Sequence, residues 1–390
     1  LQQTPGLVVM DGLEKVQEDG SRGTFGRLNS PKLRDFLDQL AAGYVPELSV
    51  LITSRFPLAD LRDKHPRFFR TQTVDQIDVA AGVQLLRDRG VRGTDGQLAA
   101  VVEQCGRHAL TVDFAGGYLA EYAQGDPATP LDLGTAEQLQ AAAEREPDED
   151  RRAVIKQGHR FARIAGHYRT AMLRTDEAAM ALLERICLFR LGVDCETLAA
   201  IFTGPDAKKV SGKALARLNR EQVQRKLDWL VRMRIVEECG SRNAECGTED
   251  ENSAFRIPHS ALYSIHPAVR DGFLSGISGE TALASHEAVR HGLEASLKVS
   301  LGEAPGANPS DPATLDLLEE IVHHTLQSGH VPEAWDIFRN RIGGFENLGW
   351  RLGAYERGER ICRAFAGGAT PESIRPLSLE GEQRGEGDQH

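Results

Sequence analysis

The sequence predicts an α/β segment followed by a mostly α-helical chain, and three observations carry that prediction. Two short apolar runs, Leu7-Val8-Val9-Met10 and Leu48-Ser49-Val50-Leu51-Ile52, are closed by turn residues and have the form of parallel strands buried on both faces. Between them, Leu33, Phe36, Leu37 and Leu40 recur at helical spacing over Ser30 to Ala42, with Ser30 placed as a cap and Pro31 in the first turn. From Val74 onward the apolar pattern stays helical. Strand, helix, strand makes a parallel α/β unit, because a parallel pair needs a crossover.

Composition narrows the classes. The 390 residues are 41% hydrophobic, enough for two to four compact units with real cores. A net charge of −11 argues against non-specific nucleic-acid binding by the chain as a whole. No run of about 18 apolar residues occurs, and the opening Leu-Gln-Gln-Thr-Pro-Gly lacks both the basic start and the apolar core of a signal peptide. A cytoplasmic protein with no membrane partner is expected. The cysteines Cys105, Cys187, Cys195, Cys239, Cys246 and Cys362 are scattered without a C-x-x-C pair, so free thiols are expected. The first residue is not Met and the chain opens almost directly into a strand, so a piece of something longer is expected.

The remaining elements follow in order. Helices are expected over Asp75 to Arg89, Asp95 to Gln104 and Ala109 to Tyr122, separated by Gly-containing turns. Gly125 to Asp150 reads as a linker. Helices over Ala153 to Leu173, Asp176 to Phe189, Cys195 to Phe202 and Arg220 to Met233 precede a hairpin. That hairpin is built from Ile235-Val236, the polar stretch Cys239 to Ser253, Ala254 to Ile257 and Leu262 to Ile265. Helices followed by a hairpin is winged-helix order. Beyond Pro312, Leu315 to Leu326 and Pro332 to Arg341 form an αα-hairpin with Gly329 at its turn and Ala334 inside, a tetratricopeptide-like spacing. Ser378 to His390 is Gly- and Glu-rich and reads as a disordered tail. The divisions are 1–72, 73–125, 126–152, 153–277, 278–377 and 378–390.

Two strand ends carry chemistry. Asp11-Gly12-Leu13-Glu14 has the Walker B form, in which a carboxylate at a strand's C-terminal end meets Mg²⁺. Asp11 is the metal candidate and Glu14 the nearest acid able to polarise a water. The alternative is that Asp-Gly only makes the turn after a strand. Thr53-Ser54-Arg55 ends the second strand, at the edge where ligands of open α/β sheets collect. Arg55 can sense a terminal phosphate there, or it is a solvated residue opening a loop.

Leu7 to Glu14, Val50 to Arg55 and Gly106 to Tyr118 together resemble the NB-ARC branch of STAND ATPases. The resemblance implies the C-terminal part of a P-loop ATPase domain over 1–72, a helical lid over 73–125, a linker over 126–152, a winged-helix domain over 153–277 and a TPR-like region over 278–377. It makes Arg55 the sensor arginine. The family's Gly-x-Pro turn, which packs on adenine, falls at Gly106-Arg107-His108, where His108 stands in place of the proline. Ser264-Ile265-His266-Pro267-Ala268-Val269-Arg270 resembles the family's His-Pro-x-Val-Arg motif, whose histidine touches the β-phosphate of ADP; His266 is then the switch residue, or else simply a cap on the helix after it. ATP, ADP and Mg²⁺ are the implied cofactors of the intact protein. No G-x-x-x-x-G-K-[ST] stretch occurs, so the chain alone is expected to bind nucleotide weakly or not at all. Protein partners on the helical repeats and oligomerisation on activation are also implied.

Two other classes compete. Lys208, Lys209, Lys213, Arg217, Arg220, Arg225, Lys226, Arg232 and Arg234 form a basic stretch that a DNA-binding regulator would use. Leu215, Leu218, Val223, Leu227, Leu230 and Val231 instead make a core stripe whose opposite face is ordinarily charged. A helical-repeat scaffold is the third reading. No nucleophile elbow surrounds Ser54 or Ser264. His323, His324 and His330 read as exposed helical histidines, and Trp335, Phe338, Phe345 and Trp350 as filling of the repeat core.

Overall fold

The computed structural model describes residues 5–18, 24–64, 66–72, 74, 76–144, 149–239, 261–274, 277, 279–301 and 308–367. The tail over 378–390, most of the hairpin's polar stretch and its run over 254–257 lie outside the described residues. The chain divides into two compact units, Leu1–Tyr168 and Arg169–His390.

In the first unit, β1 (Gly6–Met10) and β2 (Leu48–Ile52) pair in parallel, with Leu7 opposite Ser49 and Met10 opposite Ile52. The crossover between them is α1 (Pro31–Ala41), capped by the Ser30 hydroxyl on Leu33 N–H, with Pro31 in the first turn as the sequence predicts. Met10 and Ile52 join Leu13, Leu28, Leu37, Ala41 and Leu61 in one core. The other sheet face is open: Leu7, Val9 and Leu51 are 66%, 58% and 56% exposed. The expectation of strands buried on both faces is therefore corrected. Alternation along a strand sends every second side chain to the face opposite α1, and no described element covers that face.

Three helices follow: α2 (Val79–Asp88), α3 (Asp95–Gln104) and α4 (Ala109–Tyr122). α2 starts four residues later than its periodicity suggests, because Ile77 is tied on both sides to Arg107. Ile77 N–H donates to the Arg107 carbonyl at 2.8 Å, and Arg107 Nε donates to the Ile77 carbonyl at 3.0 Å. α3 opens with a reciprocal capping box between Thr94 and Gln97. Gly82 lets α2 approach α3; a Cβ there would sit 2.7 Å from Val102. A two-pronged ion pair from Arg89 to Asp113 ties α2 to α4.

The segment read as a linker is not structureless. It carries α5 (Ala136–Ala143), boxed by Thr135 and Gln138, and buries Leu131, Leu133, Leu139 and Ala143. Four well-spaced apolar residues are enough to fix a short polar segment on a core. α6 (Glu149–Thr175) exceeds its expected span, and the division between the units falls within it. Its Tyr168 is fully buried among Phe114, Tyr118 and Tyr122 and donates its hydroxyl to the Phe114 carbonyl at 3.0 Å.

The second unit begins with α7 (Glu177–Ile186), β3 (Val193–Asp194), α8 (Cys195–Phe202), α9 (Lys208–Ala216) and α10 (Arg220–Arg232). The hairpin strands are β4 (Glu237–Cys239) and β5 (Leu262–Ser264); β5 pairs antiparallel with both β3 and β4. The core stripe is real: Leu215, Val223, Leu227 and Leu230 are buried. The cations opposite it, Lys208, Lys209, Lys213, Arg217, Arg225 and Arg232, are exposed.

Helices α11 (Pro267–Leu274), α12 (Gly279–Leu301), α13 (Pro312–Gln327) and α14 (Val331–Asp336) follow, then π-helical turns Ile337–Arg341 and Glu346–Arg351, and α15 (Tyr355–Gly367). The α13–α14 turn is as expected, with Gly329 at φ 86° and Ala334 fully buried. The aromatic expectation is corrected: only Phe338 is buried, while Trp335, Phe345 and Trp350 are 48%, 43% and 79% exposed. For Phe345 and Trp350 the reason is that the π-helical turns shift the residues after Asp336 out of 3.6-residue register, so a stripe counted along an α-helix no longer faces the core; Trp335 lies on the outer side of α14, against Phe338 and Phe365. Among the described residues no helix is long and apolar enough to cross a membrane.

Candidate functional site

Parallel pairing puts the C-terminal ends of β1 and β2 on one rim, and the residues singled out at both ends meet there. Gly12 adopts a left-handed conformation at φ 69°, which turns the chain out of β1. The Thr53 hydroxyl bridges the two ends: it donates to Asp11 Oδ1 and accepts from Gly12 N–H at 2.9 Å. Thr53 N–H donates to the Met10 carbonyl and Leu13 N–H to the Thr53 carbonyl, both at 2.9 Å. Asp11, Thr53 and Arg55 are exposed on this rim.

Glu14 and Arg55 face each other. Arg55 Nε lies 3.5 Å from Glu14 Oε1, and Arg55 N–H donates to Glu14 Oε2 at 3.3 Å. The acid proposed to polarise a water and the cation proposed to sense a phosphate are thus paired. With the Arg55 side chain half exposed, such a pair is weak and exchanges readily for a stronger anion.

One residue that organises the rim carried no sequence signal. Gln17 is 2% exposed and donates through Nε2 to the carbonyls of Gly26 at 2.7 Å and Pro57 at 2.9 Å. Its Oε1 accepts from Ser54 Oγ at 2.5 Å, and Ser54 Oγ accepts from Phe56 N–H at 3.0 Å. Gln17 therefore fixes the backbone just after Thr53. In the sequence it stands in a polar run, Gln17-Glu18-Asp19, and nothing there marks it as buried.

The turn at Gly106 is backbone-specific. Gly106 and Arg107 both have left-handed φ, 68° and 57°, and a Cβ on Gly106 would lie 2.5 Å from the Arg160 guanidinium. His108 is the N-cap of α4: its Nδ1 accepts from Thr111 N–H at 3.4 Å and meets Thr111 Oγ1 at 3.0 Å. A proline could occupy the position but could not supply that cap.

His266 belongs to the second unit and precedes α11. Its carbonyl accepts from Val269 N–H at 2.9 Å and Arg270 N–H at 3.0 Å, which opens the helix, and its side chain is half-buried. The structure brings Asp11, Glu14, Thr53 and Arg55 together in one place; Gly106 and His108 form a second feature of the first unit.

Among the described residues no group of three or more His, Cys, Asp or Glu side chains could hold a metal ion unaided. Asp11 and Thr53 offer hard oxygens, the donor type that Mg²⁺ takes when phosphates and waters supply the rest of its shell. The thiols of Cys105, Cys187, Cys195 and Cys362 are free, and burial pushes that of Cys105 up to about 12. The chain matches no protein-family model, and no curated protein matches it.

Proposed function

We propose that this chain is part of a nucleotide-controlled switch ATPase of the STAND type, in which the β1–β2 rim contributes to the phosphate and Mg²⁺ end of the site. The observation that carries the reading is the meeting of an acid, a hydroxyl and a guanidinium at the C-terminal edge of two parallel strands. Asp11, steadied by Thr53, would hold Mg²⁺, which when bound neutralises phosphate charge. Arg55, released from Glu14, would meet the terminal phosphate, and Glu14 would then be free to orient water. The open face of Leu7, Val9 and Leu51 fits coverage by further strands and helices of a larger ATPase domain.

In this reading α2 to α4 form the lid, with the Gly106–His108 turn against the base. The helices α7, α8 and α10 with the β3–β5–β4 sheet form a winged-helix domain, and His266 holds the ADP state. α12 to α15 form the start of a helical repeat region that receives a protein partner. The core stripe of α10 favours this role over a DNA-reading one. Gln224 is bonded to Asp228 and Tyr263, and Lys226 to Asp176, so both are engaged within the unit.

Calorimetric titration of Mg·ADP and Mg·ATP into the polypeptide extended upstream tests the proposal. Binding is expected, with loss of its Mg²⁺ dependence in Asp11→Asn and faster ADP release in His266→Ala. An upstream sequence without a G-x-x-x-x-G-K-[ST] loop, or an Asp11→Asn protein with an unaltered Mg²⁺ requirement, overturns it.

A further inference from the structure

The second unit gathers a histidine cluster around a buried member, His324, that the nucleotide reading does not use. His286 on α12 and His324 on α13 meet Nδ1 to Nδ1 at 2.8 Å, and His324 is fully buried. His324 Nε2 lies 3.3 Å from Glu320 Oε2, and Glu320 Oε1 lies 3.5 Å from Arg190 Nε, on the chain between α7 and β3. The His323 ring stands edge-on to both other imidazoles, and Phe189 packs edge-on against His324. The expectation of exposed histidines is thereby corrected for His323 and His324: both turn into the joint with α12.

A hydrogen bond between two Nδ1 atoms requires one to donate and the other to accept. With the Glu320 carboxylate 3.3 Å from Nε2, the favoured tautomer of His324 carries its proton on Nε2 and accepts at Nδ1 from His286 Nδ1–H. One added proton keeps the bond, since an imidazolium donates to a neutral ring. A second cannot be accommodated, because two imidazolium rings would present N–H to N–H at 2.8 Å, with the His324 ring fully buried. We propose that this cluster is a proton-operated latch: on acidification a second proton enters the His286–His324 pair, the α12–α13 joint opens, and the helices beyond it are released.

The surroundings do not relieve that charge. Among the described residues Glu320 is the acid that contacts the pair, and it already faces Arg190. Arg270 on α11 and Arg190 both add positive potential at His323. Glu287 on α12 is engaged by Arg290, His291 and His330, and Glu319 on α13 by Arg357 and Arg360 of α15. α8 meets α12 through Ile201 against Gly292, and α9 keeps Lys208, Lys209 and Lys213 exposed. Burial, then the His324 charge, holds His286 down to about 3, and burial, then Arg190, pushes His323 well below its ordinary value. A histidine whose folded pKa is depressed favours the closed state above its free value near 6.5 and opposes it as pH falls below that value. Each such histidine shifts the opening equilibrium about tenfold between pH 7.5 and 5.5, and two shift it about a hundredfold.

Hydrogen exchange of the full chain at pH 7.5 and 5.5, corrected for intrinsic rates, tests the latch. Opening of α12 and α13 should rise about a hundredfold relative to α3, which carries no histidine. His286→Gln keeps a hydrogen-bonding side chain that does not titrate and should reduce the response about tenfold. The pair His286→Leu with His324→Leu should leave the same reduced response, the share of His323; if that protein is unfolded at pH 7.5 by circular dichroism, His286→Gln decides. An α12–α13 response no larger than that of α3, or a full response in His286→Gln, overturns the proposal.

Discussion

Replacing Gln17 by methionine keeps the length and volume of the side chain and removes all of its hydrogen bonds. Three are lost: two from Nε2 to the Gly26 and Pro57 carbonyls, and one from Ser54 Oγ to Oε1. Gln17 is 2% exposed, so water does not replace them in the folded state. At about 1 kcal/mol for each bond, the change should destabilise the first unit by about 3 kcal/mol. With an m-value of about 2 kcal/mol/M, the urea midpoint of that unit falls by about 1.5 M. The tryptophans separate the units: Trp229, Trp335 and Trp350 all lie in the second. The substitution should therefore lower an early component of the circular-dichroism transition and leave the tryptophan fluorescence transition in place. A midpoint drop under about 0.3 M would show that Gln17 does not organise the rim, and an equal shift of both signals would show that its effect is not confined to the first unit.

Glu319 is 2% exposed and holds Arg357 and Arg360 of α15, so Glu319→Gln should cost about 2 kcal/mol, a figure reduced because both arginines remain partly hydrated, and exchange of Tyr355–Gly367 should rise before that of α13. Gly106→Ala combines a left-handed φ with a 2.5 Å approach to Arg160 and should lower the first unit's stability by about 1–2 kcal/mol, read by circular dichroism in urea. His108→Ala should cost about 1 kcal/mol in the same assay, whereas His108→Asn, which caps equally well, should cost almost nothing. Stability of the second unit, followed by tryptophan fluorescence in urea, should fall by about 3 kcal/mol between pH 7.5 and 5.5, because His286 and His323 are held neutral in the folded state and charge on unfolding.

The parts of this molecule that local chemistry determines were legible in the sequence. Ser30-Pro31 starts α1 because a hydroxyl cap and a fixed φ act within four residues, and the Asp11-Gly12 turn needs only a residue at ease with positive φ. The shared rim of Asp11 and Arg55 was legible for the same kind of reason. Once two strands are parallel, their C-terminal ends must share an edge, whatever their side chains. What the strands bury on each face was not, since Leu7 and Met10 look alike in an apolar run and differ only in which side of the sheet α1 occupies.

The histidine cluster shows the limit most sharply. His323 and His324 are adjacent on one helix, which ordinarily sends neighbouring side chains about 100° apart and at least one of them to water. Here two helices use that width. α12 brings His286 to one side of the α13 face, and the segment Phe189-Arg190 covers the other, so both histidines fall within a single contact. The partners stand 38 and more than 100 residues away in sequence, His286 and Arg190 respectively, and no periodicity within α13 encodes them. Glu320, one turn before His324, is the only local hint, because an acid followed four residues later by a histidine can pair along a helix. A pair of that kind is ordinarily solvated and weak. It becomes a device only when a second helix removes the water and supplies an imidazole that can share one proton and not two.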